Sequence, residues 1–245
     1  MEKVHLIMPM GGAGSRFAEC GYELPKPLIM LHDRPFFFWA TQSLAKFLDY
    51  ADITFVVLQE HIDRFDITER IREYYPEAKF RVLPKVLPGP MFTCLEGVAE
   101  IDDSAPIIFN DCDHMFMCEK LYQDMKQGTV VEDGALLTFT SSDPRFSYVR
   151  EDSQGNVAGT VEKEVVSSHA ICGAYLFRNK EIFLETAEAY KQDCPYNEFF
   201  MSGMYNILCK QQKKVRNYVL DFHVDYGTPA EYEVAKESSY FKYLK

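Results

Sequence analysis

Short apolar, β-rich runs alternate with runs of helical period through the first half of the chain, and this alternation limits the fold more than any other feature. VHLIMPM (4–10), ITFVVL (53–58), KFRVLP (79–84) and PIIFN (106–110) read as strands; FFFWATQSLAKFL (36–48), HIDRFDITERIREYY (61–75) and PMFTCLEGVAEI (90–101) read as helices. Strand and helix in turn predict a mostly parallel sheet covered by helices on both faces. From GALLTFT (134–140) the pattern shifts to shorter extended pieces, SYVRED, NVAGTVEK and ICGAYLF. Helices follow around 180–191 and 198–211, then a strand around 214–222 and a last helix around 229–238. The second half should therefore add antiparallel strands and finish a site that the first half begins. With 245 residues, 47% of them hydrophobic, and neither repeats nor a Ser/Gly linker, the chain reads as one α/β unit of two halves, 1–130 and 131–245.

Charge and cysteine usage narrow the setting. A net charge of −11 argues against a broad nucleic-acid or anionic-membrane surface, so any phosphate must be held by a local pocket. No apolar run approaches the ~18 residues that cross a bilayer, and the N-terminus lacks the anatomy of a cleavable signal. Seven cysteines without a CxxC pair suit reduced thiols, and together these features predict a cytoplasmic protein.

Against that acidic background stands PMGGAGSRFAECGYELPKPL (9–28). Gly11, Gly12 and Gly14 follow the first strand, so their loop lies at the carboxyl edge of the sheet, where open α/β folds bind ligands. Glycine lets backbone N–H groups approach an anion closely. Neither the GxGxxG of dinucleotide folds nor the GxxxxGK[ST] of P-loops is present. Instead Arg16 closes the turn, and Lys26 sits between two prolines that restrict its backbone. Two cations and a row of amides can grip a triphosphate.

GGAGSRF followed by ELPKPL resembles the signature of the sugar-1-phosphate nucleotidyltransferases, the nucleotide-sugar pyrophosphorylases, in which G-G-x-G-x-R precedes P-K-P. NDCDHMF (110–116), VEKE (161–164) with CGAYLF (172–177), and VDYGTPAEY (224–232) are similar to later segments of that family in the same order, over about residues 5–235. The chain departs from it at Glu164, where the family usually has Pro, and in the doubled acid Asp111/Asp113.

The resemblance implies a single nucleotide-diphospho-sugar transferase domain, Rossmann-like and of GT-A type, with a mostly parallel mixed central sheet flanked by helices. It implies Mg²⁺-dependent transfer of a nucleotidyl group from an NTP to a sugar 1-phosphate or similar phosphorylated acceptor, with release of pyrophosphate. The product would be an activated sugar for polysaccharide or glycoconjugate synthesis. Arg16, Lys26 and Lys163 would be catalytic. Met10, Gly11, Gly12, Ala13, Gly14, Ser15, Pro88, Gly89 and Asp111 would hold the nucleotide, and Glu162, Lys163, Gly173, Tyr175 and Glu198 the acceptor. Asp113 and Asp225 would hold the metal, with Asp111 behind them. The chemistry agrees: the reaction gathers several negative charges, and Mg²⁺ commonly takes one or two carboxylates plus substrate phosphates.

Plainer readings stand beside these. The two acids around Cys112 could cap a following helix, Asp225 could serve the turn at Gly227, and Lys163 could pair with Glu162 or Glu164 at the surface. Glu198 and Ser202, four apart, would share one helical face, reaching the acceptor or only solvent. Asp111-Cys112-Asp113 also spells the D-x-D of GT-A glycosyltransferases, and a non-catalytic nucleotide-binding homologue would share the same scaffold.

Overall fold

The computed structural model describes residues 3–130 and 132–245. The boundary between the two halves falls at Val131, and the N-terminal reading starts at Met1 and Glu2; these three lie outside the described residues. The chain opens with β1 (Val4–Pro9), a short α1 (Ser15–Glu19), a small ribbon of β2 (Met30–Leu31) and β3 (Arg34–Pro35), and α2 (Phe36–Ala45). Next come β4 (Tyr50–Leu58), α3 (Gln59–Phe65), α4 (Ile67–Arg72), β5 (Lys79–Leu83), α5 (Pro90–Gly97) and β6 (Ile107–Asn110). The helix expected over 61–75 is broken in two, because Asp66 takes a left-handed φ of 53° between α3 and α4. Aspartate tolerates that conformation through local hydrogen bonding by its short side chain.

After β6 the chain forms β7 (His114–Met117), α6 (Glu119–Gln127), β8 (Gly134–Thr140), β9 (Ser147–Glu151), β10 (Val157–Glu162) and β11 (His169–Phe177). It ends with α7 (Lys180–Gln192), α8 (Met201–Lys210), β12 (Val215–Val219), β13 (Phe222–Asp225) and α9 (Pro229–Ala235). The strand expected over 214–222 is β12, which joins the central sheet, and a further strand not read from the sequence, β13, starts at Phe222 and pairs antiparallel with β7 outside it.

In the central sheet β5, β4, β1 and β6 lie side by side and parallel. β11 then runs antiparallel between β6 and β8, β12 extends β8 in parallel, and the β9–β10 hairpin joins the start of β11. The result is one α/β domain with a mostly parallel mixed sheet. Alternation along the strands explains its two cores. Leu6 and Met8 of β1, Phe55 and Val57 of β4, and Ile108 of β6 face one side. Ile7, Val56, Ile107 and Phe109 face the other. Each strand is thus apolar on both faces, as a sheet between two helical layers requires. From FFFW, Phe36, Phe37 and Trp39 are fully buried.

Away from the glycine loop, at the amino end of β1, His5 ties three segments together. Its Nδ1 lies 2.8 Å from Asp52 of β4 and its Nε2 3.0 Å from Asp103, while Asp52 also accepts from Lys79 of β5 at 2.7 Å. The bond to Asp52 outweighs the opposing effect of burial and, with Asp103, raises the imidazole above its ordinary 6.5. The stability it adds is therefore complete below about pH 6.5 and fades as pH rises through the raised native value. His5→Asn should lower the thermal midpoint more at about pH 6 than at about pH 9. Equal losses in scans at both pH values would show that the imidazolium charge plays no part.

Candidate active site

The glycine loop leaves β1 at its carboxyl end, where the Met10 N–H donates to Val56 O at 2.8 Å. A Cβ on Gly11 would stand 2.8 Å from the Leu83 Cδ1 methyl and 3.2 Å from Thr93 Cγ2, so a larger residue would press on both side chains. Gly14, at φ 61°, turns the chain into α1, which carries Arg16. Arg16 is exposed and has no ion pair among the described residues.

Lys26 follows Pro25, which holds the extended conformation (φ −63°, ψ 147°) that a proline ring favours. Its Nζ donates to Asp113 Oδ2 at 2.7 Å. Burial by itself pulls the lysine's pKa down, but Asp113, with Cys112 and Asp111 behind it, outweighs burial and raises it. Lys26 is therefore engaged with a carboxylate, where the sequence reading had it open to phosphate.

The β7–β13 ribbon brings Asp113 and Asp225 together, setting Asp225 opposite His114. The Tyr226 N–H donates to Asp113 O at 3.0 Å, and the Gly227 N–H to Asp225 Oδ1 at 3.0 Å. A Cβ on Gly227 would lie 2.7 Å from Asp113 Oδ2 and 3.3 Å from Asp225 Oδ1, so both carboxylates close on one spot. Neither acid around Cys112 caps a helix, because β7 follows directly. Asp225 does serve its turn, through Gly227, as well as facing Asp113.

Burial first, then repulsion from Asp113 and Glu231, raises the Asp225 pKa. Burial and Asp113 raise Asp111 likewise. Burial opposes ionisation of Asp113 too, but Lys26 overcomes it and the pKa falls. Three carboxyl groups thus share one lysine, and a divalent cation would favour the ionised forms that burial opposes at Asp111 and Asp225. Two converging carboxylates are hard oxygen donors, a set that fits Mg²⁺. No cluster of three or more His, Cys, Asp or Glu side chains forms a complete metal cage among the described residues.

Two clefts meet at these acids. The smaller, about 360 Å³, is lined by Met10, Gly11, Gly12, Ala13, Gly14, Lys26 and Gly89. The larger, about 740 Å³, is lined by Arg16, Glu162, Lys163, Gly173, Tyr175 and Asp225. Both share Pro90, Asp111, Asp113 and Glu198. Asp111 is fitted beneath Gly173, whose φ is 96° and whose Cβ would fall 2.8 Å from Asp111 Oδ2.

Two readings need correction, the helical face shared by Glu198 and Ser202 and the surface pairing of Lys163, and three other residues lie as follows. Ser15, opening α1, and Pro88, at an exposed loop crest, line neither cleft. Arg16 stands in the larger cleft with Lys163, away from the smaller one that holds the glycine loop. Glu198 shares no helical face with Ser202, because α8 begins only at Met201; Glu198 lies in the bend before it. Lys163 pairs with neither neighbouring glutamate. Glu162 instead accepts from Ser147 at 2.7 Å and from Ser202 at 3.3 Å, and the Lys163 ammonium sits 5.3 Å from the centre of the Phe200 ring.

A family model described as nucleotidyl transferase matches residues 5–239. The chain belongs to the nucleotidyl transferase family. No match is found among the curated proteins. Among solved structures, this nucleotidyltransferase is similar to the nucleoside-diphosphate-sugar pyrophosphorylase from Vibrio cholerae RC9, at 23% identity and a TM-score of 0.83 over 95% of this chain and 100% of that one. It is also similar to a UDP-glucose pyrophosphorylase complexed with UDP-glucose, at 17% identity and a TM-score of 0.76 over 99% and 100% of the two chains. An inositol-1-phosphate CTP transferase from T. maritima matches at 14% identity and a TM-score of 0.74, over 96% of each chain. At these identities the likeness is one of fold.

Sequence reasoning did not find every group lining the clefts of the nucleotidyltransferase. Arg145, Phe146 and Glu231 wall the larger cleft. Arg145 is held by Asp143 and by Glu231, which leaves Arg16 and Lys163 as that cleft's cations without an ion pair among the described residues. His114 and His223 line it as well. Their signal in the sequence was slight: one residue after Asp113 and two before Asp225.

Proposed function

We propose that the enzyme transfers a nucleotidyl group from an NTP to a sugar 1-phosphate or similarly phosphorylated acceptor. An acceptor phosphate oxygen attacks the α-phosphorus, a new P–O bond forms, and the bond to the departing pyrophosphate breaks. What carries this reading is the meeting of two clefts at one carboxylate cluster, since the reaction must hold two anionic substrates in contact. The smaller cleft, with its glycine loop, Gly89 and Asp111, takes the nucleotide; the larger, with Glu162, Lys163, Gly173, Tyr175 and Glu198, takes the acceptor. Residues 1–130 thus supply the nucleotide half and 131–245 most of the acceptor half.

Asp113 and Asp225 would hold Mg²⁺, which when bound supplies charge neutralisation at the phosphates. Arg16 and Lys163 flank the larger cleft and place positive charge where acceptor and α-phosphate meet. Lys26 orients Asp113 and contributes charge to the nucleotide cleft. The structural neighbours include proteins named for nucleotide–sugar and nucleotide–inositol chemistry, which supports the class. A cytoplasmic place in nucleotide-sugar supply for polysaccharide or glycoconjugate synthesis follows from the same reading. No helix among the described residues is long and apolar enough to cross a membrane.

The test is a matrix of NTPs against phosphorylated acceptors with Mg²⁺, read by pyrophosphate release. Sugar transfer from a finished NDP-sugar, with no pyrophosphate released from any NTP, would favour a glycosyltransferase instead. Binding without turnover would favour a sensor. Within the matrix, Lys163→Ala should raise the acceptor KM by about 10- to 100-fold, the value of a charged hydrogen bond, with the NTP KM nearly unchanged. A variant weakened for NTP, or for neither ligand, would remove Lys163 from the acceptor.

A further inference from the structure

The loop between β8 and β9, residues 141–146, runs along the larger cleft, and Glu162 and Lys163 both hang from it. Where the loop enters β9, the Ser147 hydroxyl donates to the Glu162 carboxylate at 2.7 Å. The Lys163 N–H donates to Phe146 O at 3.2 Å. Lys163 depends on such a hold: its φ of 56° is left-handed, a conformation unfavourable to lysine that persists only where its surroundings impose it.

The loop itself is fastened at Arg145. Asp143 accepts from the Arg145 N–H at 3.0 Å and from its Nε at 2.9 Å, and the Tyr148 hydroxyl donates to Asp143 O at 2.8 Å. With the arginine held on that side, its Nη1 donates to Glu231 in the first turn of α9. Glu231 is fixed in its turn, because its N–H donates to Thr228 Oγ1 at 3.3 Å. α9 follows directly on the turn at Asp225, so this ion pair joins the acceptor wall of the cleft to the wall that carries the metal-side carboxylate. A fully exposed pair would contribute little, but the Glu231 side chain is only 15% exposed, and the bonds already made by both partners reduce the entropy lost in pairing.

We propose that Arg145 is a positioning residue for the acceptor: its ion pair with Glu231 fastens the 141–146 loop, and the loop sets the Glu162 carboxylate and the Lys163 ammonium. This rests on the nucleotidyl transfer proposed above and adds to its acceptor side a residue that acts through others.

The experiment compares wild type with Arg145→Gln, Arg145→Lys, Glu231→Gln and the double variant Arg145→Gln/Glu231→Gln. Kinetics are measured on the fastest NTP–acceptor pair of the matrix above, at saturating Mg²⁺ so that a change at Asp225 does not enter. Hydrogen exchange follows the Lys163 N–H in the substrate-free protein. Either single Gln variant should raise the acceptor KM about 10-fold, the scale of a small misplacement of binding groups, with the NTP KM within about twofold of wild type. The double variant should match the singles instead of multiplying them, because both break one bond. Arg145→Lys keeps the charge and should recover part of the loss. The Lys163 N–H should exchange about 10-fold faster in both single Gln variants. If Arg145→Gln fails to fold, Glu231→Gln carries both measurements. Were Arg145 to bind the acceptor itself, Glu231→Gln would free it and leave the acceptor KM unchanged or lower. That result overturns the inference, as do multiplying effects in the double variant or unchanged exchange at Lys163, and each leaves nucleotidyl transfer standing. No pyrophosphate release by the wild type with any pair overturns nucleotidyl transfer and the acceptor role with it, while the exchange measurement still decides whether Arg145 holds the loop.

Discussion

Asp225→Asn is expected to lower pyrophosphate release by about 10²-fold or more and to shift the Mg²⁺ concentration for half-maximal rate upward, while the folded protein keeps or gains stability. Asparagine retains an oxygen for the Gly227 N–H, so the turn survives. It also keeps the neutral state that burial and Asp113 already favour at Asp225, so the metal-free protein loses little. Falling activity with a steady or rising thermal midpoint is the signature of a carboxylate kept for a ligand. Asp113→Asn should be as harmful to activity and should also lower stability, because it leaves Lys26 without its partner. Asp111→Asn should be milder. If Asp111→Asn proves the most damaging of the three, the metal lies between Asp111 and Asp113 and the D-x-D reading gains.

Arg16→Ala should reduce turnover by about 10²-fold, the usual loss when one preorganised donor to developing charge is removed. Arg16 is exposed and unpaired among the described residues, so its removal leaves the core untouched. The thermal midpoint is the control, and steady-state kinetics separate kcat from both KM values. Its place in the larger cleft suggests a contact on the acceptor side of the reacting phosphates. Turnover within about twofold of wild type would exclude that contact.

How much of this was legible in the sequence depends on the distance over which each feature is determined. β1, β4 and β6 were readable because strands buried on both faces are apolar runs. The glycine loop and Lys26 stood out because their spacing is local, whereas Asp113 and Asp225, far apart in the chain, drew notice only through the family resemblance. β7 was not, since HMFM is four residues long and stands as a strand only because β13 arrives beside it. The break at Asp66 was hidden because nothing in the helical period signals a left-handed aspartate. Glu198 was placed on a helix by continuity of pattern, yet the segment before α8 is held by backbone contact with the first turn of α5, the Met91 N–H donating to Phe199 O at 3.1 Å. The Lys26–Asp113 bond joins residues far apart in the chain, and no spacing rule finds it.

The pairing of β7 with β13 has a consequence for synthesis. β7 ends at Met117 and its partner starts at Phe222, so roughly 100 residues separate them. At a ribosomal pace of about 5–20 residues per second, β7 waits on the order of 5–20 s with its edge unpaired. For that interval the nascent chain has its glycine loop but not the second carboxylate, and β7 rests on α2, where the Phe116 N–H donates to Ser43 Oγ at 3.0 Å, with its β13 edge open. Chains that stop short of β13 are thus expected to be catalytically inert, because the two carboxylates meet only when β13 docks on β7.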